Sequence, residues 1–299
     1  MNKSIVLIKR NMKLFLRDRA TVFFSFLSTI ILVALYFLFI GEVFKSEMQN
    51  STTGAGSFSI TSGAQNFIVY LQMMAGVLVL NSMSLATGAF STIAKDFENK
   101  RVDSFILTPV KTREMIFSYF ATGIIAGFGL NLFTWMVSFT VIGVATGYWL
   151  AVSTFLTVVL VLFTASLISC SLTLLIVTLV KSSSAIGVIN GVAGTFFGFL
   201  CGIYMPYGNL GDGVKAVGSI LPLSHLTIWL KRVVLDDAFS QLGIEGEYKE
   251  TLYRDFFSAE SIGFLNFSAP LWLMIVFSGL LGLTFWVLSY GILRKRFKR

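Results

Sequence analysis

The chain has 299 residues, of which 55% are hydrophobic and only 13% charged, with a net charge of +8 and a mean hydropathy of +0.80. Soluble domains carry about 25% charged residues, and one of this length would need far more polar surface to cover its core. The composition therefore excludes a soluble enzyme and removes nucleic acid as the reason for the positive charge. It points to an all-α integral membrane protein forming a single transmembrane domain.

The first segment, 1–19, reads as an amphipathic helix. At 100° per residue Lys3, Arg10, Lys13 and Arg17 share one sector, while Ile5, Ile8, Met12, Phe15 and Leu16 cluster opposite. Such a helix lies on an anionic inner leaflet. It is either a plain anchor or a surface on which a cytoplasmic partner presses.

A spanning helix needs about 20 apolar residues, because the hydrocarbon core is ~30 Å thick and each residue rises ~1.5 Å. Six stretches qualify: 20–40, 67–92, 115–143, 149–180, 185–205 and 269–293, none with Asp, Glu, Lys or Arg. The tight turn between spans three and four falls at 143–149, where glycine meets Tyr148 and Trp149. The first span follows a basic segment, but its apolar run is too long for a signal peptide and no small-residue cleavage site follows, so it reads as an uncleaved anchor. The segment before span one, the loop after span two, Lys181 and the tail together hold seventeen Lys and Arg, against six in the remaining connections. That asymmetry places both termini in the cytoplasm of a multi-pass protein of the cell (cytoplasmic) membrane.

Two cytoplasmic and outer segments stand out. The loop 95–114 mixes both charge signs at helical spacing, with Asp96, Glu98 and Asp103 among Lys100 and Arg101. Phe105, Ile106 and Leu107 then form an apolar patch, and Pro109 stops the helix. A short helix of this kind can dock in a partner's groove; the plainer alternative is an interfacial connector. The outer segment 206–268 begins with Pro206, Gly208, Gly211, Gly213 and Gly218, which break helix while neighbours stay apolar. Irregular backbone at membrane depth survives only when buried in protein or lining water. This predicts short re-entrant or outer-leaflet helices between spans five and six. Beyond Pro222, apolar residues at spacings of three and four predict an amphipathic helix at the outer interface.

Span five carries Gly187, Gly191, Gly194, Gly198 and Gly202, a spacing that permits close helix approach. Packing within one subunit and packing at an interface both fit. The polar residues of the spans are neutral; most serve hydrogen bonds between helices, and those of spans two and five (Asn81, Ser84, Asn190) are candidates to line a path. Gly123 and Gly127 of span three read as packing within the subunit.

The loop from Glu98 through Arg101, Asp103, Phe105 and Leu107 to Pro109 and Lys111 resembles the coupling segment of ABC-2-type transporter permeases, with Arg101-Val102 where that family often has Gly-Thr. Gly202, Tyr204, Pro206, Leu210, Pro222, Leu223 and Arg232 resemble the same family's stretch after span five. The resemblance covers essentially the whole chain. It implies the permease subunit of an exporter, driven by ATP and Mg held in a separate nucleotide-binding subunit. It makes Glu98, Arg101, Asp103, Phe105, Leu107 and Pro109 the ATPase-coupling residues. It puts Asn81, Ser84, Asn190, Gly191, Gly194 and Gly198 at a translocation path or at the interface with a second permease subunit. Tyr204, Pro206 and Pro222 mark the outer hairpin. The family mostly exports, and the short loops favour an amphipathic cargo.

No phosphate-binding GxxxxGK[ST], HExxH or GxSxG motif and no intramembrane carboxylate pair occurs. The chain is read as no enzyme, with no metal or cofactor of its own. Cys170 and Cys201 lie in apolar stretches as small buried residues, and His225, the single histidine, is a poor basis for a relay. Ion-driven transporters keep ionisable groups in their spans; none is present here, so energy enters from a partner. The alternative is a non-transporting membrane scaffold or assembly factor, which explains uncharged spans equally well but not the Thr-Pro loop or the broken hairpin.

Overall fold

The computed structural model describes residues 3–35, 41–43, 46, 61–106, 110–180, 182–203, 211–253, 263–264, 267–268 and 270–297. Helix α1 (Lys3–Arg17) leads directly into α2 (Arg19–Leu35). Asp18 makes that break: its Oδ1 accepts the Thr21 backbone N–H at 3.0 Å, which caps the new helix and satisfies an orphan donor. Then come α3 (Ser62–Glu98), the short α4 (Arg101–Ile106), α5 (Thr112–Thr146), α6 (Val152–Leu179) and α7 (Ser183–Leu200). The outer segment forms α8 (Asp212–Ile220), α9 (Pro222–Leu242) and α10 (Gly246–Thr251). A two-residue antiparallel pair, β1 (Gly263–Phe264) and β2 (Phe267–Ser268), sets Gly263 opposite Ser268 ahead of α11 (Leu271–Arg296).

Among the described residues five helices are long and apolar enough to cross a membrane: α3, α5, α6, α7 and α11. The described part of α2 is a shorter apolar helix of 17 residues; the rest of the first expected span, 36–40, lies outside the described residues. The bent pair α8–α9 meets at 87°, the geometry of a broken or re-entrant segment, in the place where proline and glycine forecast it. The fold is an all-α membrane bundle.

Its centre is α3. This helix has 37 residues, about 55 Å, and is buried along nearly its whole apolar length. It packs on α2, α5, α6, α7 and α9. Close approach to α5 depends on Gly123, where a Cβ would stand 2.5 Å from the Phe90 ring, in keeping with its reading as a packing glycine. The turn between α5 and α6 uses Gly147 at φ 78°, whose N–H reaches the Gly143 carbonyl at 2.9 Å, since a left-handed residue there favours glycine.

α9 departs from the expected interfacial helix. Leu223, Leu226, Leu230 and Val234 are buried, and so are Ser224, His225, Ile228 and Lys231 on other sides. The helix is wedged between α3, α6 and α11. The three-four repeat marks one buried stripe; small and hydroxylated residues on the rest of the surface let other helices cover it too. His225 Nε2–H donates to the Ser219 carbonyl (2.8 Å) and the ring packs edge-on to Phe277, which ties α8 to α9 and α11.

Candidate functional site

A polar cluster staples the middle of the bundle. Thr29 Oγ1 donates to Asn81 Oδ1 at 2.9 Å, and Asn81 Nδ2 donates to Asn131 Oδ1 at 3.1 Å. Asn131 Nδ2 in turn reaches Ser82 Oγ at 2.8 Å and the Leu78 carbonyl at 3.0 Å. These bonds join α2, α3 and α5, and leave Asn81 fully buried. Asn81 thus belongs to the core and is not among the residues that line the neighbouring cavity.

Beside that staple, α2, α3 and α7 enclose an open cavity of about 620 Å³. Ser84, Asn190, Gly191 and Gly194 line it; Gly198 does not, being buried at the far end of α7. Asn190 Nδ2 donates to Ser84 Oγ at 3.0 Å across the gap between α3 and α7. A Cβ at Gly187 or Gly191 would meet nothing within 4 Å. Among the described residues those glycines therefore serve no packing contact: they widen the cavity. Next to them Val188, Val192 and Phe196 are exposed, forming an apolar ridge along α7.

The lining has a definite hydrogen-bonding character. Ser25, Ser84, Thr87 and Ser91 each donate their proton to a backbone carbonyl at 2.8 Å, and Thr29 spends its proton on Asn81. A hydroxyl has one donor and two lone pairs, so these groups turn acceptor oxygens toward the cavity. Lys95 is the cation at one mouth, and its ammonium is neutralised by the Asp18 carboxylate.

At this same mouth the end of α3 is tied to four other helices. The Glu98 carboxylate accepts the Ser183 N–H at 2.8 Å and the Ser183 hydroxyl at 2.7 Å, capping the N-terminus of α7 where a helix dipole favours negative charge. Those two hydrogen bonds hold the Glu98 pKa below its ordinary value. Asp96, buried to 1% exposure, accepts a bidentate pair from Arg10 of α1 (2.7 and 2.8 Å) and the Tyr119 hydroxyl of α5 (2.6 Å). The hydrogen bond to Asp96 raises the Arg10 pKa. Arg101 of α4 stands 3.9 Å from the same carboxylate.

The sequence puts Arg10 in the basic sector of a helix on the inner leaflet and Asp96 in the cytoplasmic loop 95–114. The structure turns both inward and extends α3 through Glu98. The available signal was register: Asp96 falls four and seven residues after Thr92 and Ala89, on the face α3 buries, and a buried carboxylate requires a cation. Glu98 goes to α7 and Arg101 to Asp96. Of the remaining coupling candidates, Asp103 and Phe105 lie on α4 with side chains outside the described set, and Leu107 and Pro109 lie outside the described residues, as do Tyr204 and Pro206. Pro222 opens α9 at the first helical position, which suits its fixed φ and missing N–H.

The model of the family described as ABC-2 type transporter matches residues 3–234. No curated protein matches the chain.

Proposed function

The chain belongs to the ABC-2 type transporter family, and from that membership we propose that it is the permease subunit of an ATP-driven exporter of the cytoplasmic membrane. ATP and Mg are held by a separate nucleotide-binding subunit. That partner docks on the loop containing α4, with Glu98, Arg101, Asp103, Phe105, Leu107 and Pro109 as the coupling residues. The cavity between α2, α3 and α7 is the protomer's share of the translocation path. A second permease subunit faces the exposed ridge of α7, beside Gly187 and Gly191, so that two half-paths meet.

One observation carries this reading. The residues that flank the coupling loop are hydrogen-bonded to residues that rim the cavity: Glu98 to Ser183, and Lys95 to Thr21 (3.3 Å). Displacing α4 by a partner's stroke pulls on the end of α3 and on the capped start of α7 through short, stiff contacts. The two walls of the cavity then move relative to each other. A scaffold needs neither a cavity nor this linkage. The acceptor-rich, net-neutral lining favours an amphipathic cargo bearing hydrogen-bond donors.

Reconstitution tests it. Liposomes holding the chain and its nucleotide-binding subunit should move a fluorescent amphiphile only with ATP. Glu98→Gln should leave insertion and assembly intact while lowering the cargo moved per ATP. Flux that persists without the second subunit, or wild-type coupling in Glu98→Gln and in Phe105→Ala, overturns the assignment of the loop.

A further inference from the structure

α1 presents three parallel stripes of four-residue spacing, which stack side chains along one helix. Leu7, Asn11 and Phe15 are buried against the bundle. One position on, Ile8, Met12 and Leu16 line an open groove of about 440 Å³ whose other wall is Ile125 of α5. One position further, Lys9, Lys13 and Arg17 form its rim, all three exposed. Among the described residues none of these three cations makes an ion pair, whereas Arg10 beside them turns inward to Asp96.

The placement of the groove narrows what can fill it. α5 has 35 residues, about 52 Å, against a hydrocarbon thickness of ~30 Å. Ile125 lies ~20 Å along it from Thr112, which puts this wall within the hydrocarbon rather than in water. Phe117 and Phe133, each eight residues or about two turns from Ile125 on the same helix, are exposed as well, so the groove floor continues into an apolar outer surface. A row of cations directly above an apolar trough matches a ligand with an anionic head and a hydrocarbon tail.

We propose that the groove between α1 and α5 binds an anionic phospholipid. Its phosphate sits among Lys9, Lys13 and Arg17, and an acyl chain runs along Ile8, Met12, Leu16 and Ile125. The site is distinct from the cavity between α2, α3 and α7. Through the Arg10–Asp96 pair it lies on the same helix that holds the end of α3, so lipid occupancy fixes α1 where the coupling corner is assembled.

The test uses full-length protein in mild detergent, given phosphatidylglycerol or phosphatidylcholine, with retained lipid read by native mass spectrometry. Each cation near an anionic surface contributes about fivefold in affinity, so three give roughly 100-fold preference for phosphatidylglycerol. Lys9→Gln/Lys13→Gln/Arg17→Gln should reduce retention to the phosphatidylcholine level. A control with the same loss of charge elsewhere, Lys100→Gln/Arg294→Gln/Lys295→Gln, should keep the preference. Met12→Trp keeps every charge but fills the trough, and should also lower retention. Glycerol phosphate, which has the head without the tail, should compete poorly. Equal retention by wild type and the groove triple variant overturns the proposal, as does full competition by glycerol phosphate. A triple variant that keeps phosphatidylglycerol yet loses its nucleotide-binding partner overturns it too, and makes the stripe a protein-docking surface.

Discussion

Asp96 accepts three short hydrogen bonds from two other helices while almost wholly buried. Removing one partner of a buried pair typically costs about 3–5 kcal/mol, because the remaining charge has lost its water and gained nothing. Arg10→Met should therefore lower the melting temperature of the detergent-solubilised protein clearly. Adding Asp96→Asn to Arg10→Met should restore at least half of that loss, since a neutral amide still accepts from the Tyr119 hydroxyl. Simple addition of the two single effects in a double-mutant cycle would show that the pair is not coupled. Asp18 allows a pH test nearby. Partial burial pushes its carboxyl up, but the hydrogen bonds from Lys95 and from the Thr21 N–H outweigh this and bring it to about 2. The folded pKa thus lies below the ordinary value of about 4. Its contribution is complete above pH 4 and is lost as pH falls from 4 through 2. Melting curves across that interval should slope downward with acid, and Asp18→Asn should flatten part of the slope while lowering stability at neutral pH.

The glycines of α5 and α7 differ in what faces them, and that separates two kinds of helix contact. A Cβ at Gly123 runs into the buried Phe90 ring at 2.5 Å, whereas one at Gly191 meets open space. Gly123→Ala should destabilise the isolated protomer by about 1–3 kcal/mol through overpacking. Gly191→Leu should leave protomer melting unchanged yet reduce cargo flux or pairing of permease subunits, seen by crosslinking. Unimpaired flux and pairing in Gly191→Leu would remove this part of α7 from the path and the interface alike. From sequence alone Gly123 reads as packing within the subunit, whereas Gly191 fits such packing and an interface equally, because spacing reports that a helix can be approached closely but not by what. The same limit explains α9, where an apolar stripe at 223, 226 and 230 forecast one buried face. Burial of Lys231 and Ser224 on its other sides depends on neighbours more than twenty residues away, the Gly202 and Leu200 carbonyls. By contrast five long apolar helices stand where the sequence leads one to expect spans, since about 20 uncharged residues in lipid have one stable option; the first expected span is only partly within the described residues. The Gly147 turn was legible for a similar local reason: an αL position must be filled by a residue that tolerates it.

The two ends of the bundle are assembled from alternate connections of the chain. At one end Arg10 meets Asp96, Glu98 meets Ser183, Arg296 donates to the Thr178 carbonyl at 3.2 Å and Phe97 packs on Phe297. That end gathers the N-terminal helix, the close of α3, the close of α6, the start of α7 and the close of α11. At the other, Asp237 accepts the Ala151 N–H at 2.7 Å, Gln241 donates to the Trp149 carbonyl at 3.0 Å and Tyr148 stacks on Phe67. The first and last helices therefore meet at one end of the bundle, the arrangement that an even number of crossings would give. Charge supplies the expectation for which face this is: the segments at the first end carry most of the basic residues, and the bias of basic segments toward the cytoplasm is the ground on which we propose that this end is cytoplasmic. Cysteine labelling in intact cells checks the orientation. Cys170 and Cys201 are buried and can be replaced by Ala to give a silent background. A membrane-impermeant maleimide should then modify Gln241→Cys from outside, because that position is exposed at the second end. Lys100→Cys, at the turn after α3, should react only once the membrane is permeabilised. The opposite pattern would turn the protein over, put the α4 loop out of reach of any ATP-hydrolysing subunit, and remove the basis of the proposed coupling.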